Sequence, residues 1–494
     1  MKTPPRAPSA PTFTVPPAVP GLADGHLPGL DGLRAFAVIA VILYHLSPGL
    51  VVGGYLGVDI FFVISGFLIT ALLLREKASS GRIRLGHFWL RRARRLLPAL
   101  LALVLVCCAT AWVVGGNVLV DLGRQVVGAS TFSSNWIAIV GHRSYFDETA
   151  PELFRNLWSL AVEEQFYLVW PFVVLLLLLV RMRWLRFSFV AALGIASALT
   201  MLLLYTPGAD ATRVYYGTDT HSFGLAIGAA LAVLSQRWSS LPLWWPRTAR
   251  WLLPTLGTLS LGVLIAATIL MPADAPLAYQ GGLVVVALLT AVTIAGAIVP
   301  GSILGRLLNL TPLRWVGERS YGLYLWHWPV FVLVVAALPG WPRLGASGWA
   351  LGGIALAITL VAATLSYRYI EQPIRKKGFT VVFRWIFPRK ATDSAPAKQP
   401  VLARRPRTRR ALVVAAVSLV IAATGVGTTA AVTSGPVQSD AEVQIQRGQA
   451  ALDAQRSQPT PTPAASGAPR SSDTATEPAE PQPSAPVALP GGDQ

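Results

Sequence analysis

Long apolar stretches, each about the length of a membrane-crossing helix, recur along most of the chain. About 18 or more apolar residues in a row suffice for a helix to cross the hydrocarbon core of a bilayer. The pattern therefore predicts an all-α integral membrane protein with eleven spanning helices. The predicted spans are residues 30–47, 55–74, 96–114, 159–180, 187–205, 220–235, 251–270, 281–299, 320–338, 348–367 and 411–431.

The first ten spans predict a ten-helix transmembrane bundle over residues 29–377, whose one long loop, 115–157, has the composition of a folded cap. Residues 378–410 form a predicted basic cytoplasmic linker that leads to the eleventh helix. Both ends of the chain, 1–28 and 432–494, are rich in proline and polar residues. They are predicted to be disordered because such compositions bury no core.

The formal charge of +18 reflects topology once the basic residues are assigned to loops. With the N-terminus inside, the cytoplasmic segments hold 32 of the 41 lysines and arginines and the external segments hold 8. This asymmetry follows the positive-inside rule and predicts a plasma-membrane protein with a cytoplasmic N-terminus and an extracytoplasmic C-terminal tail. The charge also favours contact with anionic lipid, and we expect no nucleic-acid partner.

Two ionisable residues, Arg34 and His45, lie eleven positions apart within the first predicted span. Eleven residues at about 100° each return to nearly the same helix face, and the rise of about 1.5 Å per residue separates them by roughly 16 Å in depth. Ionisable side chains at membrane depth are costly and usually mark a functional site. The alternative is a pair of snorkelling side chains at the helix ends.

The second span carries Asp59, Ser65 and Gly66. Asp59 is expected to orient His45 or to pair with Arg34, because a short loop joins the first two helices. Ser65 is a weak candidate nucleophile, since serine in membrane helices commonly bonds its own backbone. Gly66 is expected to permit close helix packing.

A basic cluster precedes the third span. Four guanidinium groups within five residues suit the phosphates of a nucleotide-bearing donor. An ordinary topology-setting cluster in contact with lipid phosphates explains them equally well. The cluster consists of Arg91, Arg92, Arg94 and Arg95.

Two further apolar helices carry polar residues. Glu163 and Glu164 lie in the fourth span, followed by Tyr167, and a carboxylate there must be paired, protonated or exposed to a water-filled cavity. Glu163 is the stronger candidate for proton transfer. His327 lies among aromatic residues of the ninth span, either as a satisfied core residue or, together with His45 and His221, facing one cavity.

The order of these motifs resembles the acyltransferase-3 family of bacterial multi-pass membrane O-acyltransferases, in a form that lacks a C-terminal SGNH domain. The resemblance covers about residues 28–377 and rests on R-x10-H, GVDIFFVISGFLIT, RRARRLLP, SNW, WSLAVEEQFYLVWP, DTHSFGLAIG, SYGLYLWHWP and LSYRYIEQPIRK. Residue by residue, it implies that the family's essential arginine and histidine are Arg34 and His45. It places the motif glutamate at Glu163, the SGF serine at Ser65 and the basic motif at the four-arginine cluster.

The resemblance implies transfer of an acyl group, often acetyl, from cytoplasmic acyl-CoA to a hydroxyl group. It implies acyl-CoA as a substrate, no bound cofactor and no metal. Acceptors in the family include cell-surface glycans, glycolipids and macrolide-like compounds. The chain departs from the family pattern at Asn156, where many relatives have histidine. Because no SGNH domain follows the eleventh helix, a separate extracytoplasmic acyl-transfer protein is one expected partner, and direct acylation is the alternative.

Our mechanistic hypothesis assigns His45 as the general base, with Glu163 or Asp59 as its orienting or relaying carboxylate. Arg34 would position or polarise the thioester, while the four-arginine cluster would bind the donor phosphates. Ser65, Tyr167 and His327 would contribute to the substrate site. A covalent acyl-enzyme on His45 or Ser65 stays open. The rival interpretations are a transporter or flippase that moves its substrate unchanged, and a receptor or scaffold that displays the C-terminal tail.

Overall fold

The computed structural model describes residues 29–47, 49–145, 152–235, 247–342, 345–380, 422–436, 438 and 440–456. Within these ranges the chain forms helices and no strands, which confirms the all-α prediction. The helices are α1 (Leu30–Leu46), α2 (Gly57–Ser80), α3 (Leu85–Val114), α4 (Leu122–Thr131), α5 (Ser134–Val140), α6 (Leu157–Leu179), α7 (Arg183–Leu204), α8 (Thr212–Tyr216), α9 (Thr218–His221), α10 (Phe223–Ser235), α11 (Arg247–Leu270), α12 (Leu283–Ala297), α13 (Ile303–Leu307), α14 (Thr311–Ala337), α15 (Gly345–Ser366), α16 (Gln372–Lys377), α17 (422–434) and α18 (Asp440–Arg456).

Eight helices in the described part of the chain are long and apolar enough to cross a membrane: α2, α3, α6, α7, α11, α12, α14 and α15. Two more predicted spans form shorter helices, α1 with 17 residues and α10 with 13. Both are central to the bundle, since α1 packs on α2 and α14, and α10 packs on α2, α7 and α12. Of the eleventh predicted span, residues 411–421 lie outside the described residues and the remainder belongs to α17.

Several helices extend beyond their apolar cores. The third span was predicted to begin at residue 96, but α3 begins at Leu85, so the arginine cluster lies on the helix itself. In the same way α14 begins at Thr311, not at residue 320. Arginine is a good helix former, and its long stem packs along apolar surface while its charge reaches water, so the basic flanks continue the helices.

Glycine residues allow α2 and α10 to approach each other closely. A Cβ added at Gly66 would overlap the carbonyl oxygen of Leu225, and one added at Gly228 would overlap the carbonyl oxygen of Val63. Small residues at such crossings are typical of membrane helix pairs, where close van der Waals packing replaces the hydrophobic driving force. The packing role predicted for Gly66 is therefore confirmed.

The loop predicted as a folded cap contains a 3-10 turn at Gly116–Leu119 followed by α4 and α5. Of this loop, residues 146–151 lie outside the described part. The buried side chains of Leu122 and Asn135 show that the cap packs against the bundle and is not a free linker.

The C-terminal segments depart from the predicted disorder. Helix α17 continues to residue 434, and α18 occupies Asp440–Arg456. The sequence of α18 is rich in alanine, glutamine and arginine, which favour helix even without an apolar face to bury. From Val443 the chain forms a compact unit of its own. Residues 1–28, 381–421 and 457–494, including most of the predicted linker 378–410, lie outside the described residues.

Candidate active site

A polar cavity opens among α1, α2, α3, α6 and α14 at the end of α1 that carries Arg34. The open space within it, which includes solvent at its mouth, is about 720 Å³. Three guanidinium groups and one carboxyl group reach its wall. The polar side chains lining it are Arg34, Ser65, Arg92, Arg95, Ser159, Glu163, Tyr167, Ser320, Tyr321 and Tyr324.

The helical phase of α3 divides the arginine cluster. Arg92 and Arg95, three positions apart and therefore on one face, line the cavity. Arg91 points elsewhere, and its Nη2 lies 3.0 Å from Oε2 of Glu76. Arg94 is not among the lining residues. Two of the four guanidinium groups therefore reach the cavity, and the phosphate site predicted for all four arginines stays a prediction.

Glu163 is held by two hydroxyl donors. The Ser65 hydroxyl donates to its Oε1 at 2.8 Å, and the Tyr167 hydroxyl donates to its Oε2 at 3.3 Å. Both oxygens are therefore occupied, and the carboxyl group is fixed against α2. Arg34 lies 3.5 Å from Asp31, one turn earlier on α1. The structure thus brings Arg34, Ser65, Glu163 and Tyr167 to one cavity. The hydrogen bonds of Glu163 are with Ser65 and Tyr167 and not with His45, the histidine that the sequence analysis expects it to orient.

His45 occupies a separate cluster at the opposite end of α1. Its Nδ1 lies 3.0 Å from the carbonyl oxygen of Val41 and 3.3 Å from Nε2 of His327. The Nδ1 of His327 in turn lies 2.6 Å from the carbonyl oxygen of Tyr324. Because a carbonyl only accepts, Nδ1 carries the proton in each neutral ring. The Nε2 of His327 then accepts from His45, and the Nε2 of His45 is unprotonated, with the Tyr145 hydroxyl as a donor at 3.5 Å.

A proline in α14 frees one of the backbone carbonyl groups in this turn. Pro329 has no N–H, so the carbonyl of Leu325 loses its normal helical partner. The amide of Asn156 donates to the carbonyl of Tyr324 at 2.9 Å and to that of Leu325 at 3.4 Å. Asn156, the position that departs from the family pattern, therefore secures the turn that holds His327.

Aromatic and cationic side chains surround His45. The ring of Trp328 lies 4.9 Å from the His45 ring, and the Tyr145 hydroxyl lies 3.5 Å from its Nε2. The guanidinium of Arg155 lies 4.0 Å from the Trp328 ring centre and donates to the Tyr145 carbonyl at 2.9 Å. The sequence analysis did not identify Tyr145, Arg155 or Trp328 as site residues, because their proximity to His45 arises from contacts between distant segments.

Asp59 contacts neither His45 nor Arg34, contrary to the sequence-based expectation. Its Oδ1 lies 2.8 Å from Nε2 of His221, and both side chains are fully buried. The Nδ1 of His221 donates to the carbonyl of Tyr215 at 2.7 Å. Helix α9 places His221 against α2, so Oδ1 of Asp59 pairs with His221 and not with His45.

A second polar network joins three of the sequence motifs. The amide of Gln165 donates to Asn135 Oδ1 at 3.0 Å, and the amide of Asn135 donates to the Thr218 hydroxyl oxygen at 3.0 Å. The Thr218 hydroxyl donates to Gln165 Oε1 at 2.6 Å, which closes the ring. Polar residues in otherwise apolar surroundings were the available signal, and their role is to join the cap to α6 and α9.

Comparison with known proteins identifies the family. A family model described as an acyltransferase domain, Acyl_transf_3, matches residues 27–368. The chain belongs to the acyltransferase-3 family. No solved structure matches it.

Curated relatives of this acyltransferase-3 chain are named as O-acetyltransferases. Peptidoglycan O-acetyltransferase OatA of Listeria monocytogenes is 41% identical over 372 residues, which cover 73% of this chain and 57% of that protein. The putative peptidoglycan O-acetyltransferase YrhL of Bacillus subtilis is 41% identical over 368 residues, with the same coverage of 73% and 57%. A putative O-acetyltransferase of Staphylococcus aureus is 36% identical over 356 residues, covering 72% and 58%. The chain thus spans somewhat more than half the length of these relatives.

The buried Asp59–His221 pair is predicted to stabilise the fold. Removing one partner of a buried pair leaves the other unsatisfied and costs about 3–5 kcal/mol. We expect Asp59→Ala and His221→Ala each to lower the thermal unfolding temperature of the purified protein markedly, and the double variant to lower it little further. Asp219→Ala, which breaks the half-exposed Arg213–Asp219 pair, is the control with a small effect. A stable but inactive Asp59→Ala protein would contradict this structural role.

Proposed function

We propose that this chain is a membrane-bound O-acyltransferase that moves an acyl group, in the first instance acetyl, from acyl-CoA to a hydroxyl group of a cell-envelope glycan or glycolipid. Membership of the acyltransferase-3 family and the O-acetyltransferase names of its relatives support the reaction class. The peptidoglycan named for two of them makes a glycan hydroxyl the first acceptor to test. The observation that carries the proposal is the geometry of His45, whose Nδ1 carries the proton and whose Nε2 is therefore unprotonated, with the Tyr145 hydroxyl as its hydrogen-bond partner at 3.5 Å.

The Arg34 cavity suits the anionic end of the donor. Three guanidinium groups, of Arg34, Arg92 and Arg95, line it against the single carboxyl group of Glu163. Among the described residues, Arg92 and Arg95 form no ion pair within 4.0 Å, although Arg92 lies over the Tyr167 ring. Phosphate groups are natural ligands for guanidinium groups that form no ion pair within the protein. We assign this end to the cytoplasmic side, in agreement with the positive-inside distribution.

The depth of the two clusters assigns different parts of the donor to them. Arg34 and His45 are eleven residues apart on one helix, so their backbones are separated by roughly 16 Å. A guanidinium held in the cavity therefore does not polarise a thioester that reacts beside His45. We assign Arg34 to the phosphate or adjacent polar portion of acyl-CoA, in place of the thioester role predicted from the sequence. The extended arm of the donor would place its thioester near His45.

The proposed chemistry at His45 is general-base catalysis. Its Nε2 removes the proton from the acceptor hydroxyl as the hydroxyl oxygen attacks the thioester carbonyl carbon. The carbon–sulfur bond breaks, the ester forms, and the thiolate of CoA leaves and recovers the proton from the imidazolium. The imidazolium that forms meanwhile keeps its Nδ1–H bonds to Val41 and to the neutral ring of His327. His327 therefore acts as a positioning residue in this scheme.

The donor assignment predicts different effects for neighbouring arginines of α3. Arg92→Gln and Arg95→Gln are each expected to raise the KM for acetyl-CoA roughly tenfold, because a hydrogen bond to a charged group contributes about 1.5–3 kcal/mol. Arg91→Gln, on the same helix but paired with Glu76, should leave this KM unchanged. Steady-state CoA release in proteoliposomes measures all three. Equal effects of the three variants would support a diffuse basic surface in place of a donor site.

The base assignment is tested by acceptor-dependent CoA release from acetyl-CoA, using purified protein in liposomes and a native glycolipid or glycan extract. His45→Ala should abolish release, whereas His87→Ala, at an exposed position of α3, should not. His327→Phe should lower kcat tenfold to a hundredfold, by roughly the energy of one charge-assisted hydrogen bond, with an unchanged KM for acetyl-CoA. His327→Gln should restore part of the rate because its amide oxygen accepts from His45.

The same assay separates acyl transfer from transport. A transporter moves the glycolipid unchanged, whereas an acyltransferase produces an ester and free CoA, both detectable by mass spectrometry. Full CoA release by His45→Ala would contradict the base assignment. Movement of unmodified glycolipid without ester formation would contradict the proposed function itself.

A further inference from the structure

Helix α17 lies beyond the region that the acyltransferase family model matches, which ends at residue 368, yet it packs on the membrane bundle. A Cβ added at Gly427 would lie 3.1 Å from the Cβ of Ala109 on α3. The Thr428 hydroxyl donates to the carbonyl of Leu105 at 3.1 Å, and the side chain of Ala431 is fully buried. These contacts are those of an integrated helix pair and not of a loosely attached anchor.

The end of α17 is joined to the cap. A Cβ added at Gly435 would overlap the carbonyl oxygen of Leu119, so the two backbones are in close contact. The next residue, Pro436, accepts a hydrogen bond of 3.0 Å from the backbone N–H of Asp121. Asp121 has a φ of 53°, a left-handed conformation that residues other than glycine rarely adopt. The contact with Pro436 therefore supports a strained position at the start of α4.

From Asp121, consecutive contacts lead to His45. The Oδ2 of Asp121 accepts from Arg143 at 2.6 Å, and the Nε of Arg143 lies 3.9 Å from Oε1 of Glu152. The backbone carbonyl of Glu152 accepts from the indole N–H of Trp328 at 2.8 Å. The ring of Trp328 then packs against His45 at 4.9 Å.

We infer that α17 supports the active site from outside, by packing on α3 and on the cap, and we call this role a strut. Asp121 is the positioning residue through which this strut holds the cap and Trp328 against His45. The inference rests on the proposed acyl transfer and adds a role for a segment outside the matched family region. Among the described residues, none of α17 or of the cap lines the Arg34 cavity. A disturbed strut should therefore impair the step at His45 and leave donor binding intact.

The docking of α17 is testable without an activity assay. In a chain with Cys107→Ser and Cys108→Ser, the pair Ala109→Cys and Gly427→Cys should form a disulfide on mild oxidation. The two Cβ atoms would lie close to the Cβ–Cβ separation that a disulfide requires. The matched control is Ala109→Cys with Gly425→Cys, since Gly425 faces open space. Mass spectrometry of the unreduced digest identifies the crosslinked peptides. Absence of the first disulfide, or equal yield from both pairs, would overturn the docking.

The effect on the site is tested by two single-methyl variants. Gly435→Ala should lower kcat for acceptor-dependent CoA release about tenfold, since small displacements of catalytic groups have effects of this size or larger. Its KM for acetyl-CoA should stay unchanged, and Gly425→Ala should match the wild type in both constants. Asp121→Asn, which keeps a residue tolerant of the left-handed conformation but removes the charge that Arg143 contacts, should reproduce the loss of kcat.

The outcomes distinguish the inference from the proposed function. An active wild type with equal constants in Gly435→Ala and Gly425→Ala would overturn the strut. An equal rise in the acetyl-CoA KM and fall in kcat would also overturn it, because that result indicates a general loss of structure. A wild type that releases no CoA would overturn the proposed function, and with it the inference.

Discussion

Polar groups inside a membrane bundle need partners supplied by the protein, and this constraint determines the whole arrangement around His45. The proline in α14 removes one backbone donor, and the carbonyls nearby are satisfied by side chains, those of Asn156 and His327. The proton on each Nδ1 is thereby assigned, and the basic nitrogen of His45 is directed away from its own backbone. A helix defect and an amide from another helix together set the protonation pattern that the proposed role of His45 as a base requires.

The two polar clusters differ in character and lie at different depths. The Arg34 cavity is rich in guanidinium groups and contains one carboxyl group held by two hydroxyls. The His45 cluster is aromatic, with imidazole, indole and phenol rings in contact. The first suits a phosphate-bearing donor and the second a hydroxyl acceptor. Their separation along α1 is what an acyl transfer between the two sides of a membrane requires.

Periodicity and composition predicted the helical membrane fold, because the length and polarity of each span are properties local to one helix. They did not predict that Arg34 of α1 and Glu163 of α6 line one cavity, because that proximity depends on how the two helices pack. The partner of Asp59 was not predictable, since His221 is 162 positions away and enters through the packing of α9. The division of the arginine cluster depended on where α3 begins. With a helix start at residue 96, the four arginines precede the helix and their directions cannot be assigned. The observed start at Leu85 places them on the helix, with Arg92 and Arg95 on one face. The helicity of α18 follows from propensity alone and was obscured by the surrounding proline-rich sequence.

We propose that donor and acceptor reach the site from opposite ends of α1. The most direct test places acetyl-CoA and a soluble glycan acceptor on chosen sides of proteoliposomes in which the protein has one known orientation, and measures ester formation. We expect product when acetyl-CoA is on the side of Arg92 and Arg95 and the acceptor is on the other side, and none when the two are exchanged. Product that forms only when donor and acceptor share one side would contradict it.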